Sequence, residues 1–230
     1  MIALLYAVVP TASFRASSMK VRGALHTEIH AQVNPPYDLA LLYSLFPDDA
    51  KPELPMPQSA LEVHGLLQHL LELGGVVPFR LPAWLAEPEI ASYLDARAEA
   101  YSDALRKISD CVQMELQLIS SCLPIPLAAN TAPNGRDYLR SRAAGQSAWR
   151  NAATLVREKL DSVTRAWRQH GPANNALKLS ALVPRNERER FVESSAQLKL
   201  ENIAIKVSGP WPATDFIHLD APRAESNGNP

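Results

Sequence analysis

The sequence has 230 residues, a nearly balanced charge and a large apolar fraction. It contains 23 Lys and Arg against 24 Asp and Glu, for a formal net charge of −1, and 47% of its residues are hydrophobic. Such a chain can bury enough apolar surface to fold, which excludes intrinsic disorder, and the lack of a basic excess argues against a general binder of nucleic acid or anionic membranes. The length allows one large or two small domains, and we predict two.

The N-terminal residues predict a buried central strand. Residues 2–9 are apolar on both faces of a strand, and Pro10 ends the run well short of the length that spans a bilayer. No Lys or Arg precedes the run, so we do not interpret it as a signal peptide. Residues 24–33 alternate loosely between apolar and polar and predict a second strand. Asp38 is placed to cap a short helix over residues 39–46.

The next segments predict two helices around a short extended run. Residues 59–71 begin with a capping-box spacing, carry an apolar residue every three or four positions and stop before two glycines, which predicts a helix. Residues 76–81 predict a short strand at a sheet edge, because Pro78 cannot donate to a ladder. A long helix with one apolar stripe is predicted over residues 88–108.

The C-terminal half predicts a β-α-β-α-β order that starts after a domain boundary near residue 110. Residues 112–118 alternate between apolar and polar and predict a half-buried strand. Apolar residues over 149–167 recur at steps of four and three, which predicts one long helix. Three more elements follow, namely a strand over 177–183, a helix that Asn186 caps and a last strand over 203–207. Residues 222–230 show no period and predict a disordered tail.

The sequence offers no established catalytic or cofactor motif. It contains no Gly-x-Gly-x-x-Gly, no P-loop and no Gly-x-Ser-x-Gly nucleophile elbow. His26, Glu28 and His30 would share one face of a strand, but we interpret them as a solvated polar face because no metal-site spacing accompanies them. Cys111 has an acidic neighbour and little basic charge nearby, so we interpret it as a small buried hydrophobe. We therefore predict no catalytic residue, no metal, no cofactor and no enzymatic activity.

Basic residues outnumber acidic residues along the predicted long helix of the second domain. They are Arg136, Arg140, Arg142, Arg150, Arg157, Lys159, Arg165 and Arg168. These side chains would follow an RNA backbone, contact a protein partner or solvate an exposed helix face, and we favour the solvated face.

Trp211 stands between Pro210 and Pro212 in the most unusual segment of the chain. The two prolines restrict φ, so we predict a stiff extended turn after the last strand. The indole either covers the core of its own domain or contacts a partner, and in neither case is it a catalytic group.

Four short motifs, in this order, resemble the GvpL/GvpF family of gas vesicle proteins, and the resemblance covers nearly the whole chain. They are Ala3-Leu-Leu-Tyr-Ala-Val-Val9, Val76-Val-Pro-Phe-Arg80, Gly135-Arg-Asp-Tyr-Leu139 and Gly209-Pro-Trp-Pro212 with Phe216. Two segments depart from the family pattern. They are Leu81-Pro82-Ala83-Trp84, where Phe-Gly-Thr is usual after the arginine, and Ala213-Thr-Asp215, where Pro-Tyr-Ser is usual.

The resemblance implies an α+β protein of two domains. The first is an N-terminal mixed α/β domain over 1–110, and the second is a C-terminal modified ferredoxin-like domain (β-α-β-α-β) with a long helix over 111–221. The implied function is accessory: a gas vesicle assembly factor or minor vesicle component, in the cytoplasm or at the vesicle. The implied partners are the small hydrophobic shell protein GvpA, whose aggregation it would limit during nucleation, and other gas vesicle accessory proteins.

We name four candidate partner-binding residues, because aromatic and arginine side chains often dominate interfaces. They are Phe79, Arg80, Trp84 and Trp211. The alternative function is an RNA-binding or regulatory ferredoxin-like module that uses the basic helix over 136–168.

Overall fold

The structure is a computed structural model that describes residues 1–16, 22–47, 56–120, 135–173 and 175–217. The chain divides into two compact units: the first contains Met1–Ser109 and the segment that begins at Phe216, and the second contains Asp110–Asp215. Each unit has one antiparallel sheet with helices, so the fold is α+β, as the sequence predicts. The predicted tail over 222–230 lies outside the described residues. Within the described parts of the chain, no helix combines the length and the apolar character that crossing a bilayer requires.

The sheet of the first unit is built around strand β1, Ile2–Pro10. Its other strands are β2 (His30–Asn34), β3 (Leu39–Phe46), β4 (Val77–Pro78) and β5 (Trp84–Ala86). The strand order is β2-β3-β1-β4, with β5 also paired to β1, and these pairings are antiparallel. The side chains from Ala3 to Val9 are all buried, which confirms the predicted central strand.

The predicted helix over 39–46 is wrong, because this segment forms strand β3. A helical turn over Pro35–Tyr37, capped by the Asn34 side chain, reverses the chain, and Asp38 then adopts left-handed backbone angles (φ 53°, ψ 45°). Asp38 is therefore the end of a tight β2–β3 connection and not a helix cap. β3 lies between β1 and β2 with most of its side chains buried, so its apolar residues show no clean alternation.

The predicted strand over 24–33 forms only at its end. The first residues of the predicted strand, Ala24–His26, instead form a helical turn. The last two residues of that turn have positive φ (56° and 57°). Strand β2 begins four residues after this turn. His26 and His30 therefore do not share one face of a strand, which corrects the basis of the candidate metal set.

The described residues of the first unit form four α-helices. They are α1 (Thr11–Ala16), α2 (Met56–Leu73), α3 (Ile90–Asp95) and α4 (Ala98–Ile108). Helix α2 confirms the prediction over 59–71, but it begins earlier, so Ser59 is a buried residue inside the helix and not its cap. The helix predicted over 88–108 is divided into α3 and α4, because Arg97 leaves the helical region (φ −122°, ψ 5°).

The described residues of the second unit form a four-stranded sheet and two α-helices in the order βαββαβ. The elements are β6 (Cys111–Ser120), α5 (Gly135–Leu160), β7 (Ala166–Gln169), β8 (Ala176–Pro184), α6 (Arg188–Ala196) and β9 (Ile203–Trp211). The strand order is β7-β8-β6-β9, and each pairing is antiparallel. The predictions of β6, β8 and β9 are confirmed, and so is the helix α6. The predicted cap of α6 is wrong, because Asn186 lies inside a helical turn, Arg185–Glu187, and Glu187 precedes the first residue of α6.

Strand β7 corrects the predicted β-α-β-α-β order. Helix α5 ends at Leu160, and Trp167, predicted to close the helical seam, lies on β7. The apolar pattern continues past the end of the helix because the Trp167 ring still faces the same core, 6.4 Å from the ring of Phe191 on α6. The spacing of apolar residues can therefore continue from a helix into the following strand, because both elements face the same core.

The second sheet has one apolar and one polar face. On β6, buried apolar side chains alternate with polar ones, as predicted over 112–118. The apolar face belongs to the core, where α6 contacts β8 and β9 and the buried residues of α5 join them. The polar face carries Gln113, Glu115 and Gln117 of β6.

Candidate functional site

Two of the candidate partner-binding residues follow strand β4. The backbone N–H of Phe79 donates to the carbonyl oxygen of Tyr6 (2.8 Å), so Phe79 continues the contact of β4 with β1. Its half-buried ring lies 6.2 Å from the ring of Tyr93 and 6.4 Å from that of Tyr101, between centroids. Arg80 is exposed.

Trp84 lies on the same edge of the first sheet. It begins β5 and pairs with Leu4 of β1. Its half-buried ring meets Phe46 edge to face, with centroids 5.5 Å apart and an interplanar angle of 83°. Since β3 occupies the other side of β1, the structure brings Phe79, Arg80 and Trp84 to one edge.

Trp211 belongs to the second unit and is the last residue of β9, opposite Gln113 of β6. The prediction that it follows the last strand is wrong, because the two prolines did not end the pairing. The half-buried indole donates from Nε1 to Ser208 Oγ (3.4 Å). Gly209 approaches β6 closely and has a φ of +123°.

A polar cluster that no sequence motif indicates lies next to Trp211. It is formed by Gln113, His170, Ser180 and Asp215. The Ser180 hydroxyl donates to Asp215 Oδ2 (2.5 Å), and Gln113 Nε2 donates to the same oxygen (3.0 Å). His170 Nε2 lies 3.1 Å from both Asp215 Oδ2 and Ser180 Oγ. In return, the Asp215 backbone N–H donates to Gln113 Oε1 (3.1 Å). We call these four residues the Asp215 cluster.

The Asp215 carboxylate is the charged centre of this cluster. Burial raises the pKa of Asp215, but the hydrogen bond from Ser180 and the charge and hydrogen bond of His170 outweigh it, so the pKa lies below its ordinary value. Because a carboxylate only accepts hydrogen bonds, His170 Nε2 carries a proton. The adjacent Glu115 carboxylate pairs with Lys178 Nζ at 2.6 Å.

The Asp215 cluster contains serine, histidine and aspartate, but it lacks the geometry of a catalytic triad. In a triad, the serine bonds to one histidine nitrogen and the carboxylate to the other. Here the single atom Nε2 of His170 faces both groups, and Ser180 donates directly to Asp215. Ser180 is also 0% exposed, so no substrate reaches its hydroxyl.

The histidines of the candidate metal set have separate partners. His26 Nε2 lies 3.4 Å from Glu62 Oε1, and the His30 ring packs near Tyr43 with centroids 5.7 Å apart. Among the residues that the structure describes, no three His, Cys, Asp or Glu side chains are grouped to hold a metal ion.

Cys111 is a buried residue of β6, which confirms its interpretation as a small hydrophobe. Burial, together with the neighbouring charge of Asp110, raises the pKa of Cys111 to about 11. The thiol therefore stays protonated at neutral pH, and only the thiolate is a strong nucleophile.

The predicted basic strip does not form one helix face. Arg165 lies beyond α5 and makes two hydrogen bonds to the Asp110 carboxylate (2.8 and 2.5 Å), while Arg168 lies on β7. Arg157, on α5, donates to Gln169 Oε1 (3.0 Å).

The central strands of the second sheet also lack a base-stacking platform. On their polar face, β6 and β8 carry Gln113, Glu115, Gln117, Lys178 and Ser180. Sheets that bind single-stranded RNA stack its bases on aromatic side chains, and none lies among these residues. Trp211, opposite Gln113 on β9, is an aromatic side chain next to these strands, but one ring does not form a platform that stacks two or three bases.

Comparison with known proteins identifies the family. A family model described as gas vesicle synthesis protein GvpL/GvpF matches residues 3–218. None of the curated proteins compared matches the sequence. The crystal structure of gas vesicle protein GvpF from Microcystis aeruginosa has a TM-score of 0.73 at 13% identity, and the match covers 95% of this chain and 99% of that one.

A second crystal structure, gas vesicle protein GvpF from Anabaena sp. PCC7120, has a TM-score of 0.71 at 12% identity. That match covers 96% of this chain and 97% of the other. At such low identity the two structures establish the α+β fold. The family match spans almost the whole chain, so the protein belongs to the GvpL/GvpF family and has a role in gas vesicles.

Proposed function

We propose that this protein is an accessory factor for gas vesicle assembly that binds the small hydrophobic shell protein GvpA and limits its aggregation. The observation that carries the proposal is the family match over residues 3–218. Under this proposal the protein acts in the cytoplasm, at the site where vesicles form, and other vesicle accessory proteins are further partners. Binding of this kind requires no catalytic group.

The physical reason for such a factor is the surface of the shell subunit. A subunit that will face gas exposes apolar surface before it assembles, and exposed apolar surface aggregates. A protein can cover an extended apolar segment by pairing with its backbone at a sheet edge and accepting its side chains in pockets.

Strand β9 supports binding by strand addition. It pairs with β6 on one side, and no other described strand pairs with residues 204–208 on the opposite side. In this strand the half-buried Ile203, Ile205 and Val207 alternate with exposed residues. A sheet edge of this kind is a template for another strand.

A cleft beside the start of β9 supports an apolar partner. The cleft has a volume of about 340 Å³ and is lined by Ala148, Ala152 and Leu155 of α5, among other residues, and by Ile203 of β9. Leu155 is 48% exposed, so part of its aliphatic side chain is open to a partner. An aliphatic side chain of an added strand would fit in this cleft.

We propose that the four candidate residues make the aromatic and arginine contacts of the interface. Phe79, Arg80 and Trp84 follow the outer edge of the first sheet, and Trp211 ends the edge strand of the second. Half-buried aromatic rings that are held by neighbouring side chains lose little entropy on binding, which favours them as anchors.

We also propose that the two units are the two domains predicted over 1–110 and 111–221. The βαββαβ order and the strand order β7-β8-β6-β9 support a ferredoxin-like assignment for the second domain.

Removing the gene from the organism that encodes it tests the proposed function. We expect fewer gas vesicles in electron micrographs of the deletion strain, and recovery when the chain is expressed from a plasmid. An unchanged number of vesicles in the deletion strain would contradict the accessory role.

A further inference from the structure

The last residue of the second unit is fixed to the polar face of the second sheet. The chain leaves this unit after Asp215, in a short helical turn, Thr214–Phe216, that follows β9. Asp215 receives hydrogen bonds from Gln113 on β6 and Ser180 on β8. His170 Nε2 lies 3.1 Å from the same carboxylate oxygen, Oδ2. These partners lie 102, 45 and 35 residues before Asp215 in the chain, for Gln113, His170 and Ser180 in turn.

Asp215 makes four hydrogen-bonding contacts from the helical turn that follows β9. Gln113 forms hydrogen bonds with both the side chain and the backbone of Asp215. Its Nε2 donates to the carboxylate, and its Oε1 accepts from the backbone N–H. Gln113 and Ser180 are 2% and 0% exposed, so water does not readily replace Asp215 as their acceptor, although Gln113 Nε2 also donates to Glu115 Oε1 (3.0 Å). A buried donor without its acceptor is costly, and a charged acceptor binds it best.

The charged groups around the Asp215 carboxylate favour its ionised form. His170 faces it from the segment after β7, and Lys178 of β8 adds positive charge nearby. Glu115 of β6 has the same sign and also accepts from Gln113 Nε2, and Lys178 pairs with it. The groups around the Asp215 carboxylate therefore stabilise its negative charge.

We propose that Asp215 is a positioning residue that holds the end of β9, and with it Trp211, on the second sheet, a role that rests on the proposed function of Trp211 as a partner contact. The chain from Trp211 to Asp215 spans only five residues, and Ala213 between them is 1% exposed. The contacts of Asp215 at one end and the pairing of Trp211 with β6 at the other restrict the conformations of this segment. A partner then meets an indole that is already in place.

The test compares hydrogen exchange of the Asp215 backbone amide in the full-length protein and in the variant Asp215→Asn. We expect exchange to be at least about tenfold faster in the variant, because its neutral side chain is a weaker acceptor for Ser180, Gln113 and His170. His170→Ala removes one partner from the exposed side of the cluster and should give a smaller change in the same direction, even if Asp215→Asn folds poorly. Asp110→Asn is the control, since Asp110 is the carboxylate at the other connection between the units and contacts Arg165 instead.

Lowering the pH gives a second readout. In the natural protein, protection of the Asp215 amide should fall as the pH drops through the lowered pKa of Asp215, whereas in Asp215→Asn it should not respond in this range. The same protection in Asp215→Asn as in the natural protein would overturn the proposal.

Capture of co-expressed GvpA separates this inference from the proposed function. We expect Asp215→Asn to capture less GvpA than the natural protein, and Asp110→Asn to capture an equal amount. A variant with a loosened turn that captures GvpA normally would overturn the positioning role. Failure of the natural protein to capture GvpA would instead overturn the proposed function, and the exchange data would still decide whether Asp215 fixes the turn.

Discussion

Gly209 is the residue whose backbone geometry restricts substitution most clearly. Its φ of +123° lies in a region that side chains with a Cβ rarely adopt, and an added Cβ would lie 2.9 Å from the Gln113 carbonyl oxygen and 3.0 Å from Met114 Sδ. The carbonyl oxygen belongs to the backbone of β6 and cannot move aside. The glycine therefore lets β9 approach β6 just before Trp211.

We predict that Gly209→Ala destabilises the protein by about 1–3 kcal/mol, because the backbone strain adds to the close contact. The midpoint of urea unfolding measures the change. Gly171→Ala is the matched control, since an added Cβ at Gly171 meets nothing within 4 Å. Equal midpoints for Gly209→Ala and the natural protein would contradict the strain.

The charge of Asp215 gives the stability a defined pH dependence. Its folded-state pKa lies below the ordinary value of 3.8, so its contribution to stability is complete above that value and is lost as the pH falls through the lowered pKa. We predict that Asp215→Asn lowers the free energy of unfolding by about 1–3 kcal/mol at pH 7.

Urea unfolding of both proteins from pH 7 down to pH 2 measures this difference. It should be constant at neutral pH and should shrink in the acid range. A difference that keeps the same size at the lowest pH would show that the charge is not its cause.

Among the elements, helix α2 contains an interior glycine that the fold does not need. Gly65 is exposed, and an added Cβ would meet nothing within 4 Å. We predict that Gly65→Ala stabilises the protein by about 0.5–1 kcal/mol, because glycine has more backbone freedom to lose in a helix. Thermal unfolding measures the gain, and a lower melting temperature would show that this face of α2 requires glycine.

The edge element β5 supplies a test of the first sheet as a partner surface. We predict that Trp84→Ala reduces capture of co-expressed GvpA by about tenfold or more, as expected for an aromatic anchor. Tyr37→Ala is the control, because Tyr37 is an exposed aromatic residue of the same unit. The circular dichroism spectrum confirms that each variant is folded, and equal losses for both variants would rule out a specific contact at Trp84.

Elements with a clear apolar period were predictable from the sequence. Helix α2 and the strands β6 and β9 carry residues at helical or alternating spacing, and each was predicted within a few residues of its observed bounds. Strand β3 was not predictable in this way, because a strand between two others buries both faces and loses its alternation. Strand β7 is only four residues long, and its tryptophan continued the pattern of the preceding helix.

At the scale of the whole molecule, the sequence predicted the family and the α+β class but not the Asp215 cluster. Family motifs are local, so they are visible without the fold. The contact between Gln113 and Asp215 joins residues 102 positions apart and exists only once β6 and β9 pair. The segment that departs from the family pattern at Ala213 and Asp215 gave the one local indication that this region is unusual.

Binding to GvpA is the central claim, and affinity capture after co-expression is its most direct test. The tagged chain and untagged GvpA are expressed together, and the amounts of captured and of soluble GvpA are compared with those from cells that lack the chain. We predict that GvpA is captured and that more of it stays soluble. If no GvpA is captured and its soluble amount is unchanged, the protein does not bind GvpA as proposed.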